Sequence, residues 1–397
     1  MLREASKSRI KLVTLLAFIS MPLSGFVTDI YLPSFPSMAK GLMVSERDIQ
    51  LTLTSYLLSY GISQLFIGSI LDNIGRYLPR LFSLFILLLS GIAIASTDSV
   101  FIICFLRGVQ GVAVATLVVA TRALFADLYQ GDKLKNYLSY FTIVWSCGPI
   151  LAPFLGGYLE KIFNWQANFY FLAFYAAILL VFELIYSSES IAEKKKINLS
   201  QTVSVYKSML QNKQFMLGIL ILGISYSIVM LFNITGPFII ENTFHYTSVA
   251  IGYCTLLLGF SWGVGGFIAK KRMNQPFNKR IGIPIAVQLV AIIGLLGVSM
   301  FYESIFVMVG FAFLIHIISG VLFTTFFTSS MLFFPTNAGT AGGLMGGLVY
   351  IITSISGSLI SLGSQVSTQG DLAWRYLFFA ILLLLVVFSM SRLQKKA

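Results

Sequence analysis

The chain has 397 residues, 57% of them hydrophobic and 11% charged, with a formal net charge of +12. That is too apolar for a water-soluble domain of this length. The cations sit in short scattered segments rather than in a patch interleaved with aromatics, so they call for no nucleic-acid partner.

Apolar runs of about 20 residues, the length of a helix that crosses a bilayer, recur along the chain. Read between charges and Pro/Gly clusters, the spans are 12–34, 49–71, 79–96, 100–122, 136–158 and 165–187, then 215–240, 247–269, 281–301, 304–329, 338–364 and 371–391. The predicted fold class is all-α and integral to the membrane, with twelve transmembrane helices in two pseudo-symmetric bundles of six. MLREASKSRIK runs into the first span without a small-residue cleavage site, so it reads as the start of a retained helix rather than a secretory signal. With both termini placed in the cytoplasm, 22 Lys/Arg fall in inner segments and four outside (Lys40, Arg47, Lys161, Arg375), which is the positive-inside pattern. A multi-pass protein of a bacterial inner membrane is expected.

In the first span stands Asp29, about 8 Å from the outer end at 1.5 Å per residue. A carboxylate in hydrocarbon costs about 2.5–3.5 kcal/mol even on the lenient insertion scale, so it is expected to face a polar cavity and to handle a proton or a cation there. Span 2 carries Tyr56, Tyr60 and Gln64, candidate cavity-lining groups for a flat or cationic ligand. It leads into GSILDNIGRYLPR, where Gly68 allows close helix approach, Gly75 a sharp turn, and Asp72 and Arg76 an ion-paired loop that could act as a conformational latch. Span 4 holds Arg107, about 11 Å deep by the same rise and therefore level with Asp29. Gln110, one turn on, either orients the guanidinium or fills a polar gap. An Asp beside Arg stays ionised, whereas one deprived of its partner takes a proton, and the pair could switch in this way.

These blocks resemble the major facilitator superfamily: GSILDNIGRYLPR is similar to its helix 2/3 loop. TDIYLPSFP (28–36), the span 49–72, RGVQG (107–111) and GPILAPFLGGYL (148–159) narrow the resemblance to the Bcr/CflA branch of proton-coupled drug antiporters. The resemblance implies that Asp29 takes part in cation recognition and protonation and that Arg107 takes part in proton handling. It also implies that the block Gly148, Pro149, Pro153, Gly156, Gly157 favours exchange over uptake. Physically, that block thins one helix and removes donors, so the helix should bend and pack closely on a partner from the other half. Asn73, Tyr77, Ala126 and Gln166 depart from the family pattern and weaken the latch.

The extended polar stretch 189–213 divides the spans six and six, giving an N-terminal bundle 1–188, a cytoplasmic linker and a C-terminal bundle 214–397. In the second half Tyr226, Asn233 and Tyr253 are further substrate-binding candidates. His316 is the one histidine within a span, either a proton relay or, more simply, a hydrogen-bonded wall. Glu183 and Glu241 read as interfacial. The glycines from Gly339 to Gly347 read as packing, as do Cys104, Cys147 and Cys254, which have no metal spacing. No metal or other cofactor is expected. The sequence carries no HExxH motif and no Ser/His/Asp set, so an intramembrane enzyme or receptor is disfavoured. The expected function is a monomeric secondary transporter coupling protons to export of small amphiphilic or cationic molecules by alternating access. A carrier of one metabolite or siderophore is the alternative, because fold does not fix substrate.

Overall fold

The computed structural model describes residues 2–191, 199–276, 278–334, 338–362 and 366–394. The first rod is built of three pieces, α1 (Lys7–Ser20), α2 (Pro22–Asp29) and α3 (Phe35–Gly41), with a 3-10 turn Leu32–Ser34 before the last. Pro22 and Pro33 lack the N–H that would continue the ladder, so the helix restarts near each. The expected single span 12–34 is therefore segmented, and Asp29 closes its middle piece.

Four of the next five helices are α4 (Glu46–Ile74), α5 (Tyr77–Ala95), α6 (Val100–Leu128) and α7 (Gly131–Ile162). The fifth, α8 (Gln166–Tyr186), completes the first half. α4 starts on a reciprocal cap, the Ser45 hydroxyl accepting from Asp48 N and the Asp48 carboxylate from Ser45 N. α6 runs six residues past the expected end of its span, so Arg122 lies within the helix instead of in a loop. Of the linker, residues 192–198, including Lys194–Lys196, lie outside the described residues, and Leu199–Gln211 forms an amphipathic helix, α9. The second half comprises α10 (Lys213–Phe238), α11 (Ser248–Arg272) and α12 (Ile283–Ser299). It ends with α13 (Ile305–Met331), α14 (Ala338–Leu362) and α15 (Gln369–Gln394). Ten of the rods described are long and apolar enough to cross a membrane. The two others, α4 and α7, are 29 and 32 residues long and more polar. α4 packs between α6 and α14, and α7 between α2 and α11.

Buried apolar side chains form one large core in each half, with Met230, Ile234 and Phe238 of α10 joining the first. Leu2 N donates to Glu189 O at 2.8 Å and Arg9 Nε to Tyr186 O at 2.7 Å, so the chain start and the end of α8 lie together at what we call the termini end. At the opposite, far end, Lys40 pairs with Glu241 at 2.7 Å and Asn242 donates to Glu46 at 3.0 Å, joining the halves.

Contact between the halves runs through α4 against α14 and α7 against α11. It is closest from mid-membrane to the far end: a Cβ on Gly61 would stand 2.8 Å from Gly347 O, and one on Gly157 2.5 Å from Ser248 O. Toward the termini end a Cβ on Gly68, Gly263 or Gly339 would meet nothing among the described residues within 4 Å. The halves are thus clamped at the far end.

Candidate functional site

Because α2 ends at Asp29, its carbonyls after Phe26 O, which accepts from Ile30 N at 3.1 Å, run out of helical donors and carry the partial negative charge of a helix C-terminus. Arg107 Nη1 takes one of them, donating to Val27 O at 2.9 Å and to Gln110 Oε1 at 2.7 Å. Its guanidinium carbon stands 4.5 Å from the Tyr31 ring centroid and 4.4 Å from that of Tyr56. Two ring faces, a carbonyl and an amide therefore hold a cation that is 0% exposed. The proximity of Val27 and Arg107 fits the equal depth expected for Asp29 and Arg107.

Asp29 is 1% exposed, and neither carboxylate oxygen accepts a hydrogen bond from any described group. Arg107 is close enough for its charge to act on the acid, but the two form no ion pair. Asp29 borders a cavity of about 10 Å³, lined also by Ser24, Gly25, Thr28, Tyr56, Tyr60, Pro149, Tyr226 and Tyr350. Of these, α2, α4 and α7 come from the first half and α10 and α14 from the second, so the cavity sits on the seam. Its tyrosines form a continuous ladder: Tyr56 stacks on Tyr60 at 5.8 Å, Tyr60 meets Tyr350 edge-on at 4.5 Å, and Tyr350 meets Tyr226 at 5.8 Å. Trp262 and Phe323 extend the ladder from Tyr226. Thr28 donates to Tyr56 Oη at 3.1 Å, fixing the ring that covers Arg107.

The structure thus brings together Asp29, Arg107, Gln110, Tyr56, Tyr60 and Tyr226. Gln64 lies one turn from Tyr60, half-buried against Gly343 and Gly346 at the seam. Three candidates fall elsewhere. Tyr253 is 51% exposed on the outside of the bundle, its hydroxyl 3.0 Å from that of Tyr158. The Asn233 amide meets Met230 Sδ at 3.9 Å, a partner within its own helix turn rather than at the cavity. His316 is fully buried in the second-half core, 3.3 Å from Tyr376 Oη and edge-on to Phe232, away from the cavity. Tyr350 went unread in the sequence. It sits among glycines and apolar residues with no charge nearby, and only its being seven residues on from Gly343, two turns along one face, could have marked it.

At the termini end Arg76 pairs with Asp72 at 2.7 Å and with Asp127 at 3.3 Å. Gly68 meets no neighbour, so close helix approach is not its use here. Gly75 adopts φ 106°, a left-handed conformation that suits glycine. The reason is Glu189, whose carboxylate accepts from Arg76 N at 3.0 Å and from Tyr77 N at 3.2 Å, where a Gly75 side chain would otherwise intrude. Ser190 N and Ile191 N complete the cradle at 2.9 and 3.1 Å. Partial burial alone would raise the Glu189 carboxyl, but these four backbone donors hold it below its ordinary value. Glu183, expected at the interface, is instead fully buried in an ion pair with Arg80.

In the α7 block the close approaches divide between two partners. Gly148 admits Pro22 O and Gly156 admits Ile30 O, both of the first rod, while Gly157 and Pro153 meet Ser248 and Gly252 of α11. The expected contact with the other half is therefore shared with one inside its own half. α7 runs unbroken through both prolines.

A family model described as Major Facilitator Superfamily matches residues 17–357. The chain is 28% identical over 364 residues to the bicyclomycin resistance protein homolog of Haemophilus influenzae, covering 89% of this chain and 90% of that one. It is 27% identical over 365 residues to multidrug resistance protein D of Escherichia coli, covering 90% of each. Among solved structures, a bacterial homolog of the human lysosomal transporter Spinster, inward-facing and occupied, superposes with TM-score 0.76 at 13% identity over 98% of both chains. The xylose transporter XylE from E. coli, partially occluded and inward open, gives 0.71 at 12% over 96% of this chain and 98% of that one.

Proposed function

Since this chain belongs to the major facilitator superfamily, and is a membrane transporter rather than an enzyme, we propose that it exports small amphiphilic or cationic compounds in exchange for protons. The first and second lobes, 1–188 and 214–397, rock about the tyrosine-lined seam, and the termini end faces the cytoplasm. One observation carries the reading: a membrane-buried carboxyl group with no hydrogen-bond donor stands at the cavity between the lobes. An ionised acid there is costly, and either a proton or a substrate cation removes the cost, so the two ligands compete for one group. Arg107 donates from Nη1 to neutral partners and forms no ion pair with Asp29, which leaves the acid available to both. The relatives named for bicyclomycin and multidrug resistance support export of foreign compounds, and the aromatic ladder suits flat apolar bodies.

The test uses purified protein in liposomes with an imposed pH gradient, with tetraphenylphosphonium and bicyclomycin as probes. Gradient-driven flux of at least one probe is expected in the wild type. It should fall on the order of 100-fold in Asp29→Asn, the scale for loss of a positioned proton-transfer group. Equal flux in wild type and mutant would sink the assignment.

A further inference from the structure

Under the proposed exchange, Asp29 takes up protons from water on the far side. A separate line of polar groups leads there between the first rod, α7 and α8. Asn168, 0% exposed near the start of α8, donates from Nδ2 to Ser34 Oγ at 2.8 Å while its own Oδ1 is buried without a donor. Ser34, also fully buried, ends the 3-10 turn that follows Asp29. The Glu160 carboxyl, two residues from the far end of α7, lies within reach of the Ser34 and Ser37 hydroxyls, and its Oε2 is buried without a donor. The inner end of the line is marked by Gly156. A Cβ there would overlap Ile30 O, the carbonyl next to Asp29, and stand 3.2 Å from Asn168 Oδ1. The first rod, α8 and α7 thus each carry buried acceptor atoms without donors among the described groups: both oxygens of Asp29, Asn168 Oδ1 and Glu160 Oε2. Apolar packing gives no reason to bury unsatisfied acceptors, whereas a file of protons on water needs them.

Resting on the reading of Asp29 as the proton site, we propose that Glu160, Ser37, Ser34 and Asn168 form the route by which Asp29 receives protons from the far side. A proton from far-side water adds to the Glu160 carboxylate. With the Ser37 hydroxyl positioning the Glu160 carboxyl, the proton passes to the Ser34 hydroxyl, which gives up its own proton to water held against Asn168 Oδ1 and Ile30 O. That water protonates the Asp29 carboxylate, and Glu160 returns to its ionised form, so no charge is left behind on the route. Asn168 fixes the direction: because it donates to Ser34 Oγ, the Ser34 hydrogen is turned to another acceptor. Charged and titratable neighbours lie at both ends, Glu241 with its partner Lys40 beside Glu160, and Arg107, Tyr56, Tyr226 and Tyr350 around Asp29. Glu160 touches no substrate cavity and acts through Asp29, so it is a relay rather than a binding residue.

The experiment needs no substrate. In oriented proteoliposomes the far side receives an acid jump, and protonation is followed by the infrared carbonyl band that Asp29→Asn removes. In Glu160→Gln the band should reach its wild-type amplitude on the order of 100-fold more slowly, with Ser37→Ala intermediate and Tyr253→Phe at the wild-type rate. An acid jump on the termini side should protonate Asp29 equally fast in all of them, which also reports that the variants are folded. Wild-type kinetics in Glu160→Gln from the far side would overturn the route. A wild type without any band assignable to Asp29 would overturn the underlying reading along with it.

Discussion

The guanidinium of Arg107 stands in the membrane without a carboxylate, held by two tyrosine faces, a helix-terminal carbonyl and Gln110. Lysine cannot reproduce this, since it lacks the planar fork that stacks and donates at once. Arg107→Lys is therefore expected to lose about 0.5–2 kcal/mol of cation–π interaction and to turn toward Asp29, the nearest unsatisfied acid. Probe binding should then become less sensitive to pH, as followed by fluorescence titration with a lipophilic cation. An unchanged pH profile would mean that Arg107 does not govern access to Asp29. Glu189 is the residue whose role no local pattern announces. Its carboxyl is held below its ordinary value of 4.5, so its contribution is fully present above that value and is lost as pH falls through the lowered one. Thermal unfolding in detergent should thus separate wild type from Glu189→Gln at neutral pH, and the gap should close on acidification.

At the scale of elements, glycines decide how near two helices or a turn and a carboxylate can come. Gly75→Ala forces a side chain into a left-handed backbone, costing about 1–3 kcal/mol, and drives it against Glu189, so the turn between α4 and α5 should detach from the segment after α8. Limited proteolysis between α8 and α9 ought to speed up accordingly. Gly157→Val is expected to part α7 from α11, because Ser248 O cannot retreat without moving its helix. Folding of each lobe should survive while transport falls, and a fully active Gly157→Val protein would show that the α7–α11 contact is dispensable. The α7 block was legible as a packing device, yet its partners were not: spacing along one helix says which residues share a face, but not which helix that face meets.

For the whole molecule, the far-end clamp is the feature that the proposed rocking of the lobes must undo. Lys40–Glu241 and Asn242–Glu46 sit at its rim, with Gln50 accepting from Ser361 at 2.8 Å and Ser354 donating to Thr54 O at 3.0 Å below. Bridging Lys40→Cys and Glu241→Cys with a short bis-methanethiosulfonate, which joins the two thiols through disulfides, should abolish gradient-driven flux and leave probe binding from the termini side intact. Reduction should restore flux. Continued transport in the bridged protein would exclude opening at this end.

The number and order of the apolar helices were set by the sequence alone, because hydrocarbon thickness and backbone hydrogen bonding act on each span locally. The presence of Asp29 and Arg107 at one depth was equally local, since rise per residue fixes depth. Their separation into a caged cation and a donorless acid was not. Nor were the burial of Glu183 against Arg80, the removal of His316 and Tyr253 from the cavity, or the placing of Tyr350 at it and of Asn168 against Ser34. Each depends on which face of a helix meets which neighbour, and in a chain apolar on nearly every face only the packing of all twelve rods chooses it.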